Sequence, residues 1–150
     1  MAWASGAWAT GSWAVGAWAG CDVGGSTAGT ATLSESSFGS VRKITFSWLS
    51  GTSTQVGTVT ATSVELYDGE LLGVRTIPGA GAEAPADNYD VALLDDAGHD
   101  LMLGSGLNRD TVNTEHINAS SLSVVPPGRI TLSISGAGSA NRGTVIVWMR

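Results

Sequence analysis

The stretch Val41-Arg-Lys-Ile-Thr-Phe-Ser-Trp-Leu49 alternates apolar and polar residues and decides the fold class of the chain. Because successive side chains of a β-strand point to opposite faces, Ile44, Phe46 and Trp48 would lie together on one face. The alternation therefore predicts a half-buried β-strand. Trp148, at an equivalent alternating position near the C-terminus, is expected in the same core as Trp48.

Two further pairs of short apolar stretches are separated by turn-forming residues. The dipeptide Asp68-Gly69 is favoured in hairpin turns because both residues tolerate a positive φ, and Asp95-Asp-Ala-Gly98 is also rich in turn formers. Each pair therefore predicts a β-hairpin. The predicted strands are Val56 to Tyr67 with Leu71 to Ile77, and Tyr89 to Leu94 with Leu101 to Leu103.

The rest of the chain predicts very little helix. Residues 104–120 have no clear apolar period, and only Thr111 to Ile117 is compatible with one helical turn. Two strands, Arg129 to Ser135 and Thr144 to Trp148, follow on either side of a glycine-rich loop. Short strands at regular spacing with glycine-rich turns are typical of sandwiches and barrels. We therefore expect an all-β fold, a compact antiparallel sandwich or barrel, over residues 41–150.

The N-terminal segment carries a five-residue repeat in which each unit begins with Trp-Ala. Its four tryptophans are Trp3, Trp8, Trp13 and Trp18. Five residues turn a helix by about 500° and reach alternate faces of a strand, so neither element gathers the indoles into one stripe. We expect residues 1–22 to be an extended arm that buries its tryptophans in a partner, with a Gly/Ser/Thr linker at residues 23–40.

Two other interpretations of the arm stay open. About twenty uncharged residues match a membrane span, and Ala19-Gly-Cys-Asp22 has the form of a lipoprotein cleavage site, which would make the chain a lipid-anchored envelope protein. The missing positively charged segment before it argues against secretion. The arm is also compatible with a low-complexity tail that has no function of its own. We expect no membrane partner.

The charge of the chain excludes several classes of function. Its 13 acidic and 7 basic residues give a net charge of -6. This charge excludes electrostatic binding to a phosphate backbone, so no nucleic acid is expected as a partner. Cys21 is the only cysteine, which excludes an intramolecular disulfide and a cysteine-based zinc site. These features favour a reducing cytosol as the place of folding.

No arrangement of residues predicts catalysis. His99 and His116 are the only histidines, and no Gly-x-Ser-x-Gly motif marks a nucleophilic serine, so we expect no enzyme and no cofactor. Asp95, Asp96 and Asp100 cluster around a turn but lack the acid spacing of a calcium-binding EF-hand loop. We interpret them as turn residues and expect no metal site.

Two arginines are candidates for contact with a partner. Arg109 and Arg129 border turn-rich segments in a chain that has few basic residues. We predict that they form ion pairs with the acidic loops of a neighbouring subunit. The alternative is ordinary surface charge, since exposed ion pairs contribute little.

Six segments along the body carry a further pattern: Val41 to Ile44, Tyr67 to Leu71, Asn88 to Leu101, Gly104 to Thr111, Asn113 to Ile117 and Gly143 to Arg150. These segments resemble a family of small virion structural proteins encoded by tailed bacteriophages. The resemblance covers residues 40–150 and contains no catalytic signature. It implies a multi-copy particle component, a capsid decoration (cement) protein, with a neck or tail position as the alternative. Decoration proteins commonly form trimers or dimers at the junctions between capsomers.

We therefore expect a structural protein of the virion, assembled in the bacterial cytoplasm. Its expected partners are the major capsid protein or other virion proteins, and further copies of itself. Its acidity favours the outside of the shell, away from packaged nucleic acid. The competing hypothesis is a neck, tail or fibre component whose β-domain binds a host glycan or receptor. That function predicts exposed aromatic residues on loops, and only Tyr67 and Tyr89 lie near turns.

Overall fold

Alternating apolar residues and glycine-rich turns organise residues 27–150, the part of the chain described by this computed structural model, into nine β-strands. The strands are β1 (Thr30–Phe38), β2 (Val41–Leu49), β3 (Val59–Thr62), β4 (Tyr67–Pro78), β5 (Asp90–Leu94), β6 (Glu115–Asn118), β7 (Val124–Gly128), β8 (Thr131–Ser135) and β9 (Arg142–Met149). Within these residues the helical segments are three 3-10 turns, at Ser53–Gln55, Gly81–Glu83 and Ala119–Ser121. The predicted all-β fold is confirmed.

The strands form two antiparallel sheets. The larger sheet has the order β1-β2-β9-β4-β6, with β7 also paired to β4, and it curls into half a barrel. The smaller sheet has the order β3-β8-β5. All seven strand pairings are antiparallel. Buried residues from both sheets pack into one hydrophobic cluster. The antiparallel architecture predicted from the sequence is therefore observed, with one core between the sheets.

The predicted face of β2 lies in this core. Ile44, Phe46 and Trp48 are all buried, and they lie opposite Val147, Val145 and Gly143 of β9. A side chain at position 143 would overlap the indole of Trp48, so glycine there makes room for the ring. Burial of each large apolar side chain contributes about 1.5–3 kcal/mol. The alternation in β2 therefore fixes which side of the larger sheet faces the core.

The predicted linker is wrong for residues 30–38, which form β1. A two-residue turn at Gly39-Ser40, with Gly39 at φ 64°, joins β1 to β2, and glycine at the first position is typical of a tight hairpin turn. Only Ala31 and Leu33 of β1 pack against the core. Its other residues are exposed, so β1 has no hydrophobic pattern by which the sequence analysis could find it. The arm predicted over residues 1–22 lies outside the described residues.

The predicted hairpin at Asp68-Gly69 is also wrong. This dipeptide lies inside β4, where the pairing with β7 shifts between Tyr67 and Gly69. Gly69 has a φ of 122°, and a side chain there would overlap the carbonyl oxygen of Arg150. Glycine is therefore needed here at an irregularity within a strand, and not at a turn that reverses the chain. The strand before it, β3, pairs with β8 in the smaller sheet.

The second predicted hairpin is only partly confirmed. The turn at Asp95–Gly98 is present, because the Gly98 N–H donates to the Asp95 carbonyl at 3.0 Å. Leu101 to Leu103, predicted as a strand, is instead a series of turns. The Asp100 carboxylate accepts the N–H groups of Met102 and Gly104 at 2.9 and 2.7 Å, which bends the chain after the turn.

Two further predictions need correction. Glu115–Asn118, at the end of the predicted helical turn, forms strand β6 on β4. Trp148 is not in the core. Val147 and Met149 of β9 point inward and are buried, so Trp148 between them faces outward, where it is half-buried. The guanidinium carbon of Arg75 lies 5.2 Å from the centre of its ring.

Candidate functional site

A groove of about 440 Å³ lies where β1, an edge of the larger sheet, meets the connection between β3 and β4. We call it the seam groove. It is lined by Ala31, Leu33, Ser34, Glu35, Ile44, Thr62, Val64, Glu65 and Tyr67. Its volume falls within the roughly 300–1,000 Å³ of clefts that hold small ligands. The groove is therefore large enough to receive a ring-sized apolar group.

The edges of the smaller sheet explain why the groove is open. Its β5 edge is covered by the segment that follows, because Leu101 and Arg109 donate backbone hydrogen bonds to Leu93 and Tyr89 at 2.7 Å. Its other edge, β3, pairs only with β8 among the described strands. In the larger sheet, β1 likewise pairs only with β2. The seam groove therefore lies between two strand edges, which are the usual places for pairing with another chain.

The walls of the groove are apolar and its lip is exposed. Leu33 is half-buried and Ile44 is fully buried, whereas Val64 is 83% exposed. Ser63 fixes the loop that carries Val64, because its buried hydroxyl accepts the Ile130 N–H at 3.1 Å and donates to the Glu65 carbonyl at 2.9 Å. The local sequence therefore holds an apolar side chain out in solvent.

The polar end of the groove carries two carboxylates. The Tyr67 hydroxyl donates to Oε2 of Glu35 at 2.9 Å, and Arg42 lies 4.0 Å from the other oxygen of Glu35. The Arg42 guanidinium also lies over the Tyr67 ring, 5.9 Å from its centre. Glu65 adds a second carboxylate to the lining. This end of the groove can accept hydrogen bonds from N–H or O–H donors of a ligand.

Burial makes both tyrosines hard to ionise. Burial, and then the hydrogen bond to Glu35, raise the pKa of Tyr67 to about 12. Burial also raises the pKa of Tyr89 to about 12, and its ring packs 5.8 Å from that of Trp48. These are the only two tyrosines in the chain. The native protein should therefore show little tyrosinate at the pH where unfolded chains ionise.

We expect stability to fall as the pH rises from about 10 to about 12. Unfolded tyrosines ionise near 10.0 and folded ones near 12, so unfolding releases protons within this window and is favoured by rising pH. Urea unfolding at a series of pH values, with tyrosinate absorbance as a second probe, measures the effect. Tyr67→Phe should reduce the pH dependence. Tyrosinate forming near pH 10 in folded protein would contradict this prediction.

The two arginines predicted to bind a partner lie in different surroundings. The side chain of Arg109 is 15% exposed, with Nη1 3.5 Å from Glu115 and Nη2 donating to the Leu107 carbonyl at 2.9 Å. Arg129 is exposed in the β7–β8 turn, where its backbone N–H donates to Asp96 at 3.1 Å. The arginines lie near opposite ends of β5 and not in one site. Their role in partner binding stays a prediction, and Arg129 is the more accessible of the two.

The four tryptophans predicted to bind a partner, Trp3, Trp8, Trp13 and Trp18, lie outside the described residues. The sequence analysis missed the lining of the seam groove, because neither Glu35 nor Val64 stands in a recognisable motif. The two-residue turn at Gly39-Ser40 is the signal that would have revealed β1, and with β1 one side of the groove.

The acidic turn uses its carboxylates within the chain. Asp95 accepts the N–H groups of Ala97 and His99 at 2.9 and 2.8 Å, and the latter bond contributes most to holding the pKa of Asp95 below its usual range. Within residues 27–150, no three side chains of the metal-binding types come together. In the same residues, no helix has the length and apolar character needed to cross a membrane.

Comparison with known proteins gives no match, whether against protein families, curated proteins or solved structures.

Proposed function

We propose that this chain is a structural protein of a tailed-phage virion, a capsid decoration (cement) protein that stabilises the shell through multi-copy contacts. One observation carries the proposal. The seam groove and its exposed Val64 lip belong to a chain that also has a tryptophan-rich arm, so one molecule carries both an apolar receptor surface and an apolar segment to fill such a surface. Such a pairing suits a protein that works in many copies.

Exposed apolar side chains elsewhere support an assembled state. Phe38, Leu66 and Val124 are about two-thirds exposed, and each lies at the end of a strand or directly before one. Contiguous exposed apolar patches mark interaction sites in soluble proteins, and assembly is the state in which side chains such as these become covered. Repeated weak contacts of this kind become strong through avidity when many copies bind one lattice. This favours a multi-copy structural role over a catalytic one.

Charge supports a position outside the shell. A chain with a net charge of -6 is repelled by packaged nucleic acid, whereas the outer surface carries no such penalty. The partners that fit this proposal are the major capsid protein and further copies of this chain.

The competing proposal, a neck, tail or fibre protein that binds a host glycan, is favoured by one specific observation. Trp148 lines a second groove of about 370 Å³ on the outer face of the larger sheet, together with polar side chains of Arg75, His116 and Asn118. An aromatic ring flanked by hydrogen-bonding groups suits sugar stacking. Binding to a glycan array that is lost in Trp148→Ala would favour this function over decoration.

Particle binding tests the main proposal. We expect the full chain to coat phage particles that lack it, and a variant with all four arm tryptophans changed to alanine to bind at least about tenfold more weakly, because each buried indole contributes about 2 kcal/mol or more. Sedimentation of particles with bound protein measures the difference. The matched control changes the same four residues to phenylalanine, which keeps most of the apolar area. Equal binding by the alanine variant would overturn the role of the arm.

A further inference from the structure

We propose that the seam groove binds a tryptophan from the N-terminal arm of a second copy of this chain. The inference rests on the proposed function in one respect, namely that the chain works in many copies. It assigns the receptor site for the arm and the residues that form it.

The apolar part of the groove fits an indole. Its volume of about 440 Å³ leaves room for one large ring, and Leu33 and Ile44 supply an apolar floor at the edge of the core. Val64 stands at the lip with its side chain almost fully in solvent, where a bound ring would cover it. Burial of the ring and of this lip would both remove apolar surface from water.

The polar part of the groove fits the indole N–H. An indole nitrogen donates one hydrogen bond and accepts none, and Glu35 and Glu65 offer only acceptors when ionised. Tyr67 holds Glu35 at this end of the groove through its 2.9 Å hydrogen bond. The arm has no charged side chain before Asp22, so it brings no carboxylate close to these two. The arm therefore adds no like-charge repulsion at this end of the groove, and its indole N–H groups match the acceptors there.

The exposed edge of β1 limits how the arm enters. An extended segment that pairs with a free strand edge places residues five apart on opposite faces, so tryptophans ten residues apart share a face. That separation is about 33 Å at roughly 3.3 Å per residue, whereas Ala31 to Glu35 of the groove span only about 13 Å. Each groove therefore takes one indole. The repeat offers four equivalent registers, so loss of any one tryptophan is expected to have a small effect.

The start of the described chain favours an arm from another copy. The Thr27 carbonyl accepts the Thr52 N–H at 2.9 Å, and a side chain at Gly29 would overlap the Thr58 carbonyl, so the backbone is held here only a few residues before Ala31. An arm that entered its own groove would have to reverse direction before Thr27 and return along β1. An arm from a neighbouring copy needs no reversal.

Complementation between two full-length variants tests the proposal. The arm variant changes all four arm tryptophans to alanine, and the groove variant is Val64→Asp, which puts a carboxylate where the indole would cover the lip. Analytical ultracentrifugation should show that each variant alone self-associates at least about tenfold more weakly than the natural chain. An equimolar mixture should regain association, because the groove variant supplies the arm and the arm variant supplies the groove.

Val112→Asp is the matched control, since Val112 is also highly exposed, at 77%, but lies outside the groove. It should associate like the natural chain. The proposal is overturned if Val64→Asp also does so, if the mixture stays monomeric, or if the natural chain is monomeric throughout. Particle binding separates the two proposals. Coated particles with failed complementation leave the decoration function standing, whereas complementation without coating leaves the arm-and-groove contact standing.

Discussion

Replacement of Phe46 by alanine is expected to lower the free energy of unfolding by about 3–5 kcal/mol. Phe46 is fully buried in β2, an inner strand of the larger sheet, and lies opposite Val145 of β9. Truncation removes its apolar area and leaves a cavity that the two packed sheets can fill only in part. Since small domains have only about 5–15 kcal/mol of stability, this one change removes a large share of it. Urea unfolding followed by circular dichroism measures the loss.

Phe38→Ala is the matched control for this experiment. Phe38 is the only other phenylalanine, and it is 68% exposed beside the β1–β2 turn. The same chemical change there should alter stability by no more than about 0.5 kcal/mol. Similar losses for the two variants would contradict the assignment of β2 as a core strand with Phe46 on its inner face.

Gly106→Ala is expected to cost about 3 kcal/mol, because overpacking forces the backbone to shift. A methyl group at this position would overlap the Val91 carbonyl oxygen and lie 2.7 Å from Cε of Met102. The Gly106 carbonyl accepts the Val91 N–H at 2.9 Å, which is one of the bonds that cover the β5 edge. We therefore expect faster hydrogen exchange at Val91 together with the lower stability.

Gly73→Ala separates this steric effect from the general cost of losing a glycine. Gly73 also lies close to another strand, but a methyl group there would be 3.5 Å from the Ile117 carbonyl oxygen, an ordinary contact. Its effect should be small. Equal losses in Gly106→Ala and Gly73→Ala would show that the chain from 101 to 109 does not pack closely on β5.

The sequence predicts the strands that carry a hydrophobic alternation and misses those that do not. β2 is found with its correct bounds, because three large apolar residues share its inner face. β1 is missed, because serine, threonine and glutamate dominate it and only Ala31 and Leu33 reach the core. Its stability comes from pairing with β2, which a local pattern does not record. The prediction for Trp148 is wrong because an apolar residue at an alternating position can also lie on the outer face of a strand. Trp148 lies there and is half-buried.

The candidate site was predicted less well than the fold. The seam groove is formed by residues far apart in sequence, since Glu35 of β1 meets Tyr67 of β4 only when the larger sheet, in which β2 and β9 separate these two strands, has curled. The hairpin prediction at Asp68-Gly69 also assigned β3 to the wrong neighbour. Acidic turn residues such as Asp95 were interpreted correctly, because their hydrogen bonds to backbone N–H groups are local.

β9, the last of the nine strands in chain order, lies in the middle of the larger sheet between β2 and β4. During synthesis on the ribosome, the edges of β2 and β4 that pair with β9 therefore stay unpaired. The larger sheet forms only when β9 emerges. Pairings between distant segments fold slowly, and unpaired edges are exposed until then. The seam groove, where Glu35 of β1 meets Tyr67 of β4, is therefore complete only after β9 has paired with both of its neighbours.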